Sequence, residues 1–191
     1  MAGKQAKILS DTDVQDLLVY ASASRYPHRD IVIVLLSIKA GLRAGEIAKL
    51  TWEMVLDPRS EVGTVIELRD HAAKKQSGRL IPIHPELRRA LAEWRSIASS
   101  TGPVIRSERG GAMRPISVVM WFASAYRALS LDGCSSHSGR HTFITRAARV
   151  VHKAGGSLRD VQLLAGHRSL KTTERYIDGD TDAQHRLVAL I

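Results

Sequence analysis

Cysteine is nearly absent from this chain, and other features that would assign it to a common protein class are missing as well. The only cysteine, Cys134, excludes an internal disulfide and fits a reducing compartment. The longest apolar run, IVIVLL at residues 31–36, is too short to span a bilayer. The N-terminal residues contain no apolar signal-peptide core. We therefore expect a cytoplasmic protein that does not use a membrane.

Two sequence motifs that would indicate metal or nucleotide chemistry are also missing. His137 and His141 are four residues apart, but no HExxH glutamate stands between them and no acidic or cysteine cluster lies nearby. The chain contains no GxxxxGK(S/T) loop, so nucleotide hydrolysis has no support. We expect neither a metal site nor a cofactor.

Positive charge is abundant and unevenly distributed. The chain has 28 Lys and Arg against 19 Asp and Glu, which leaves a formal net charge of +9. Residues 140–175 contain eight Lys or Arg and only two acids. Such a concentration is typical of a nucleic-acid-binding protein, and it is equally compatible with a solvated basic face that binds nothing. Charge alone leaves both interpretations open.

Apolar spacing in the first half predicts helices followed by one small sheet. Ser10, with Asp13 three residues later, predicts a capping box at a helix start, and a buried helix begins after Asp30 and ends at Gly41. A short helix then turns Ile47 and Leu50 inward. Residues 63–70 and 78–85 alternate as two strands joined by the polar residues 71–77.

The second half is predicted to be helical throughout. The elements are a helix from Pro85 with Leu87, Leu91, Trp94 and Ala98 on one face, a mostly buried helix over 116–129, one long helix over 138–156 closed by Gly155 and Gly156, a helix capped by Ser157, a turn beginning at Thr172 or Thr173, and a helical tail. The predicted fold class is mostly α with a small antiparallel β-sheet (α+β).

Six side chains in the chain carry cationic or proton-transfer chemistry. Each has an ordinary structural explanation when it is considered singly. Together they match attack on a phosphodiester, in which two guanidinium groups receive the charge on the phosphate oxygens and a phenol is the nucleophile. A lysine can protonate the leaving oxygen, and a histidine can accept a proton. These residues are Arg43, Lys74, His137, Arg140, His167 and Tyr176.

The sequence resembles the tyrosine recombinase (phage integrase) family, in segments that follow the order of that family. GLRAGEIAKLTW is similar to the first arginine box and implies Arg43 as a catalytic residue, with Glu46 as its support. KKQSGRLIPI resembles the β-hairpin lysine segment. Counting eight residues back from Pro82 gives Lys74 as the general acid, with Lys75 as the alternative.

Two further segments complete the resemblance. HSGRHTFIT resembles the H-x-x-R box and implies His137 as proton acceptor and Arg140 as the second arginine. LLAGHRSLKTTERYI resembles the final box, in which His167 donates to the phosphate and Tyr176, nine residues later, is the nucleophile. Gly139 stands where many relatives have leucine, and we expect this difference to alter packing rather than chemistry.

The resemblance implies a fold, an activity and partners. The fold is that of a tyrosine recombinase catalytic domain. The Tyr176 oxygen attacks a phosphate of double-stranded DNA, forms a 3′-phosphotyrosyl link and frees a 5′-hydroxyl, and a 5′-hydroxyl of a partner duplex rejoins the strand without metal or ATP. The protein is expected to be a monomer without DNA and a homotetramer on it. It would be an integrase of bacterial or phage origin, associated with the nucleoid.

The same residues leave three points of organisation and function open. Only 42 residues precede Arg43, so we expect one catalytic domain over 1–191 without a separate N-terminal domain, either naturally minimal or as a fragment. Residues 178–191 form a tail whose apolar end docks on a neighbouring subunit or on its own core. The alternatives in function are a type IB topoisomerase, which nicks and reseals one duplex, and a catalytically idle DNA-binding regulator.

Overall fold

Helices dominate the part of the chain that the computed structural model describes, which comprises residues 6–73, 78–98, 101–176 and Val188. Two short strands form the only sheet in those residues. The elements are α1 (Asp11–Ser22), α2 (Pro27–Lys39), α3 (Ala44–Lys49), β1 (Val65–Leu68), β2 (Arg79–Pro82), α4 (Pro85–Ile97), α5 (Pro115–Ala128), α6 (Ser138–Val150), α7 (Leu158–Ala165) and α8 (Leu170–Glu174), with 3₁₀ turns at Trp52–Met54 and Val151–Ala154.

The small sheet is antiparallel, as predicted. Val65 pairs with Pro82 and Leu68 pairs with Arg79, so β2 runs back along β1. Ile66 and Ile81 form a buried pair on one face of the two strands. The expected class, mostly α with a small antiparallel β-sheet, is confirmed.

Local capping and proline chemistry explain where the first helices begin. Ser10 accepts a hydrogen bond from the Asp13 amide, and the Asp13 carboxylate accepts one from the Ser10 amide, which closes the predicted capping box. The second helix was expected to begin after Asp30 but begins at Pro27. Proline fits a first helical position because its fixed φ suits the helix and it has no N–H to satisfy there.

Two boundaries in the second half differ from the prediction. The expected long helix over 138–156 is α6 followed by a tighter 3₁₀ turn, and it ends at Gly155, whose φ of 72° is left-handed. The helix before Tyr176 starts at Leu170, after Ser169, rather than at Thr172 or Thr173. Tyr176 follows α8 as a turn residue, so only the start of the segment differs from the expectation.

The fifth helix is one-sided rather than mostly buried. It buries Val118, Phe122 and Ala125, whereas Ile116 and Met120 on its other face are more than half exposed. The apolar run thus covers the core on one side only. None of the helices in the described ranges combines the length and apolar content that a membrane crossing needs.

In the residues that the structure describes, buried apolar side chains form two clusters of unequal size. The larger cluster surrounds α2, whose Ile33, Leu35 and Leu36 are at most 1% exposed, and it includes side chains from α1, α3, α4, α5 and the sheet. The smaller cluster has Ile144, Val161 and Ala165 as its buried members and lies between α6 and α7.

Gly139 brings α6 close to α2. A Cβ built at this position would lie 2.3 Å from the Ser37 hydroxyl oxygen and 3.0 Å from the Ser37 Cβ. Contacts this short do not occur between real side chains, so the helices can approach only because residue 139 lacks a side chain. The difference from leucine is therefore a packing feature that sets the depth of α6 against the core.

Candidate active site

One pocket of about 240 Å³ contains five of the six side chains that the sequence singled out. Arg43, His137, Arg140, His167 and Tyr176 all line it. The remaining lining residues are Ala6, His141 and Thr172. Lys74 and its alternative Lys75 lie outside the described residues, as does the tail over 178–191 apart from Val188.

Arg43 is held by the carboxylate of Glu46, one helical turn further along the chain. Arg43 directly precedes α3, and its backbone N–H donates to Oε2 of Glu46 at 2.9 Å. Its Nη1 donates to Oε1 at 2.7 Å. The Glu46 side chain is 1% exposed, whereas the Arg43 side chain is 22% exposed and reaches the pocket. The carboxylate thus anchors the guanidinium from behind.

A third arginine, Arg79, binds the opposite side of the same carboxylate. Its Nη1 lies 3.2 Å from Oε1 of Glu46, and its Nη2 lies 3.1 Å from Oε2. Burial of the carboxylate raises its pKa, but hydrogen bonds and attraction from Arg79 and Arg43 outweigh burial and hold the pKa of Glu46 at about 2. Glu46 is therefore ionised at neutral pH.

His167 directly follows the C-terminal end of α7, where each of the last four carbonyls accepts a hydrogen bond. The helix ends in a Schellman motif, in which Gly166 has a left-handed φ of 63° and donates to the Leu163 carbonyl, while the His167 amide donates to the Gln162 carbonyl. Two arginines from elsewhere satisfy the remaining carbonyls: Arg79 Nε donates to Leu164 at 2.8 Å, and Arg140 Nη2 donates to Ala165 at 2.6 Å. Cations at this negative end of the helix are favoured electrostatically.

Arg140 connects the two clusters of the fold. It lies in the first turn of α6, is 3% exposed, and donates from Nη1 to the Gly41 carbonyl at 2.5 Å as well as to Ala165. Gly41 has a φ of 63°, and a Cβ there would strike the ring of Phe143. Burial, then repulsion from Arg43, lowers the pKa of Arg140 from its usual value. The guanidinium is thus fixed in orientation before any ligand arrives.

His167 has a defined tautomer because Arg140 can only donate. Arg140 Nη2 lies 3.1 Å from His167 Nε2, so Nε2 must accept and the proton resides on Nδ1. Nδ1 faces the hydroxyl of Thr173 at 3.0 Å. Burial, followed by the charges of Arg140 and Arg43, lowers the pKa of His167 to about 4. The ring is therefore neutral at physiological pH.

Tyr176 packs between two imidazole rings. Its ring is stacked on His167 with centroids 5.4 Å apart, and His141 meets it edge-on at 4.9 Å. The Thr145 hydroxyl donates to the Tyr176 carbonyl at 3.3 Å. His141 in turn makes a hydrogen bond through Nδ1 to the carbonyl of Ala6. The phenol is thereby held on the same side of the molecule as the guanidinium groups.

The family model for the phage integrase family matches residues 7–182. This chain belongs to the phage integrase family. The tyrosine recombinase XerC of Mesorhizobium japonicum is 34% identical to it over 158 residues, which cover 80% of this chain and 47% of that protein. XerC of Brucella suis is 29% identical over the same shares. The chain thus spans about half the length of the curated relatives it matches.

Solved structures of integrases and recombinases share the fold. The Tn1549 transposon integrase in complex with transposon right end DNA has a TM-score of 0.76 at 17% identity, and covers 100% of this chain with 67% of its own. The XerA recombinase has a TM-score of 0.74 at 20% identity, covering 100% of this chain and 65% of that one. These likenesses establish the tyrosine recombinase catalytic-domain fold.

Sequence reasoning missed three residues that line this pocket or contact the side chains of the candidate site. Arg79 had a usable signal: strand alternation places it on the same face as the buried Ile81, and a cation on a buried face needs a partner. His141 lies one turn after His137 and was considered only as a metal ligand. Thr173 was treated as a helix start, although it is buried and bonded to His167.

Proposed function

We propose that this chain is the catalytic part of a site-specific DNA recombinase that cleaves and rejoins strands through a 3′-phosphotyrosyl link on Tyr176. The observation that supports the proposal is the single pocket in which the two arginines, the two histidines and the tyrosine converge. Family membership alone would leave open whether this chain still has the side chains for the reaction.

Arg43 and Arg140 are proposed to bind the scissile phosphate. Attack on a phosphodiester builds negative charge on the non-bridging oxygens, and fixed guanidinium groups stabilise that charge without reorganising during the reaction. Arg140 is fixed by two carbonyls and Arg43 by Glu46. The excess of positive charge around the pocket also attracts the DNA backbone.

In the proposed chemical step, the Tyr176 oxygen forms a bond to phosphorus while the bond from phosphorus to the 5′-oxygen breaks. The phenolic proton passes to His137, and Lys74 supplies a proton to the departing 5′-oxygen. Rejoining is the reverse step with another 5′-hydroxyl. The phosphodiester is conserved in the covalent link, so the scheme needs neither metal nor ATP.

His167 is proposed to donate from Nε2 to a phosphate oxygen. In this structure Nε2 accepts from Arg140, so donation requires the proton to move from Nδ1 to Nε2. Thr173 can serve both tautomers because a hydroxyl accepts from an Nδ1–H and donates to a bare Nδ1. A bound phosphate, which competes for the Arg140 guanidinium, would favour the change.

The proposed partner is double-stranded DNA, bound by several copies of the chain. Relatives of this fold include the Tn1549 integrase in complex with DNA and a lambda integrase dimer bound to a core site. We propose a monomer without DNA, a tetramer on two duplexes in a bacterial cytoplasm, and a tail over 178–191 that docks on a neighbouring subunit. Truncation before Asp182 should then abolish DNA-dependent assembly, and an unchanged assembly state would exclude docking in trans.

Covalent capture on DNA tests the activity directly. The chain is incubated with a library of duplex fragments, denatured, and the DNA that remains attached is sequenced. A nicked duplex carrying the recovered site then serves as a suicide substrate, because the short strand released by cleavage diffuses away and prevents rejoining. The native chain should give a covalent protein–DNA band that Tyr176→Phe lacks.

Other outcomes of the capture experiment identify other functions. DNA binding without a covalent band at any salt concentration indicates an idle binding protein. Relaxation of a supercoiled plasmid containing the site, with no product that joins two duplexes, indicates a topoisomerase. Recombinant products in which two duplexes have exchanged strands support the recombinase.

A further inference from the structure

The guanidinium of Arg79 lies outside the lining of the pocket and connects β2 to α3 and α7. Arg79 is the first residue of β2, and its side chain is 6% exposed. It binds both oxygens of Glu46 from α3 and the Leu164 carbonyl from α7. A Cβ on Gly166 would lie 2.9 Å from Arg79 Nη1, so the turn before His167 packs directly on the guanidinium. Arg79 therefore contacts Glu46, which holds Arg43, and Gly166, which directly precedes His167.

We propose that Arg79 is a positioning residue of the proposed strand-cleavage site, acting through Glu46 on Arg43 and through the end of α7 on His167. It does not line the pocket, so it acts on the phosphate only through these neighbours. The inference rests on the proposed function, since it assigns a role within that reaction. It also explains a cation at an inward position of a strand, which would otherwise be costly to bury.

Removing Arg79 should disturb both neighbours at once. Glu46 would keep the two donors of Arg43, the backbone N–H on Oε2 and Nη1 on Oε1, but each oxygen would lose its donor from Arg79. The carboxylate, held from one residue only, could then shift and move Arg43 with it. The Leu164 carbonyl would lose the hydrogen bond from Arg79 Nε, and the Gly166 turn would lose the guanidinium on which it packs. Displacements near 1 Å in such supports slow catalysis strongly even when the reacting groups are intact.

A matched control exists in Arg29, another buried arginine with the same kinds of partner. Its side chain is 9% exposed, its Nε donates to the buried Asp30 at 2.8 Å, and its Nη1 donates to the Arg106 carbonyl at 3.3 Å. Arg29 does not line the pocket. Arg29→Met and Arg79→Met therefore each remove a buried guanidinium bonded to a carboxylate and a carbonyl, one away from the site and one beside it.

The experiment measures the cleavage rate constant on the suicide substrate at saturating DNA, the DNA affinity, and thermal stability. Arg79→Met should lower the rate constant on the order of 100-fold with unchanged DNA affinity. Arg29→Met should lose comparable stability and cleave at the native rate. Arg79→Lys should recover part of the lost rate, because an ammonium can reach one of the Glu46 oxygens but cannot reproduce the fork.

A double-mutant cycle tests whether Arg79 acts through Glu46. If it does, the pair Arg79→Met with Glu46→Gln should cleave about as slowly as the slower single variant. Losses that multiply would overturn the relay through Glu46. A native rate for Arg79→Met, or a loss equal to that of Arg29→Met, would overturn the proposal while the recombinase function stands. Failure of the native chain to form any covalent product would overturn both.

Discussion

The larger and smaller apolar clusters support opposite halves of the site. Arg43 caps α3 and Glu46 lies within it, and α3 packs on the larger cluster around α2. His167 and Tyr176 follow α7 and α8, which share a cluster whose buried members are Ile144, Val161 and Ala165. Arg43 is therefore anchored by extensive burial, whereas among the described residues the segment with His167 and Tyr176 has little apolar area beneath it.

Polar contacts compensate for the thin second cluster. Hydrophobic stabilisation scales with buried apolar area, so a cluster of this size contributes far less than the one around α2. Instead, Arg79 and Arg140 connect the two halves by donating to carbonyls of α7. Arg140 also donates to the Gly41 carbonyl, which lies next to the larger cluster. The nucleophile half is therefore positioned mainly by hydrogen bonds, whereas the half with Arg43 is positioned by apolar packing.

The largest effect is expected at Arg140, where the two halves meet. Arg140→Lys removes the fork that spans the Gly41 and Ala165 carbonyls and should reduce strand cleavage on the order of 1000-fold. The measurement is the single-turnover rate on the suicide substrate. Arg146→Lys, further along α6 and bonded to the Leu9 carbonyl, is the control and should cleave normally. Equal rates for both variants would remove Arg140 from the proposed site.

The two halves should also differ in local stability. Native-state hydrogen exchange should show amides in α7 opening on the order of 100 times more readily than amides in α2, because α7 has fewer buried apolar neighbours. Val161 and Leu35 are suitable reporters, since both are buried at 1% exposure. Matching protection at these two amides would show that the halves unfold as one unit.

The close approach of α6 to α2 predicts an overpacking effect. Gly139→Ala should destabilise the chain by about 1–3 kcal/mol, since the new methyl would overlap Ser37. Adding Ser37→Gly should recover part of that loss. Chemical denaturation provides the free energies, and Gly45→Ala, which meets nothing within 4 Å, is the control. An unaffected Gly139→Ala would mean that the helices are free to separate.

The smallest effect is a pH dependence from His167. Its pKa of about 4 lies below the ordinary value of about 6.5, so the folded chain binds fewer protons between these values than the unfolded chain. The contribution is complete above pH 6.5 and is lost as the pH falls towards 4. Urea midpoints at pH 7 and pH 5 should therefore differ less for His167→Gln than for the native chain.

The control for the pH experiment is a histidine on the surface. His152→Gln should retain the native difference between the two pH values, since His152 is exposed. The carboxylate of Glu46 acts in a lower window, because its pKa of about 2 means that its contribution disappears only below pH 4.5. A native difference for His167→Gln would contradict the neutral, buried state of the ring.

Much of the fold was predictable because local chemistry governs it. The capping box at Ser10 and the strand alternation around Ile66 and Ile81 act within a few residues, and both were confirmed. The start of α8 was not predictable in the same way. Ser169, Thr172 and Thr173 are all good N-terminal residues, and the hydrogen bond from His167 to Thr173, made across the turn, places Thr173 inside the helix.

The sequence by itself determined the helical class, the small sheet and the set of reactive side chains, because apolar periodicity, capping and residue chemistry are properties of short segments. Only the tertiary structure decided that Arg79 shares the carboxylate of Glu46, that Arg140 satisfies a carbonyl of α7, and that His167 is neutral. Those outcomes depend on which distant groups become neighbours in a dry interior. There, each carbonyl and each charge needs a partner that the linear order of residues does not specify.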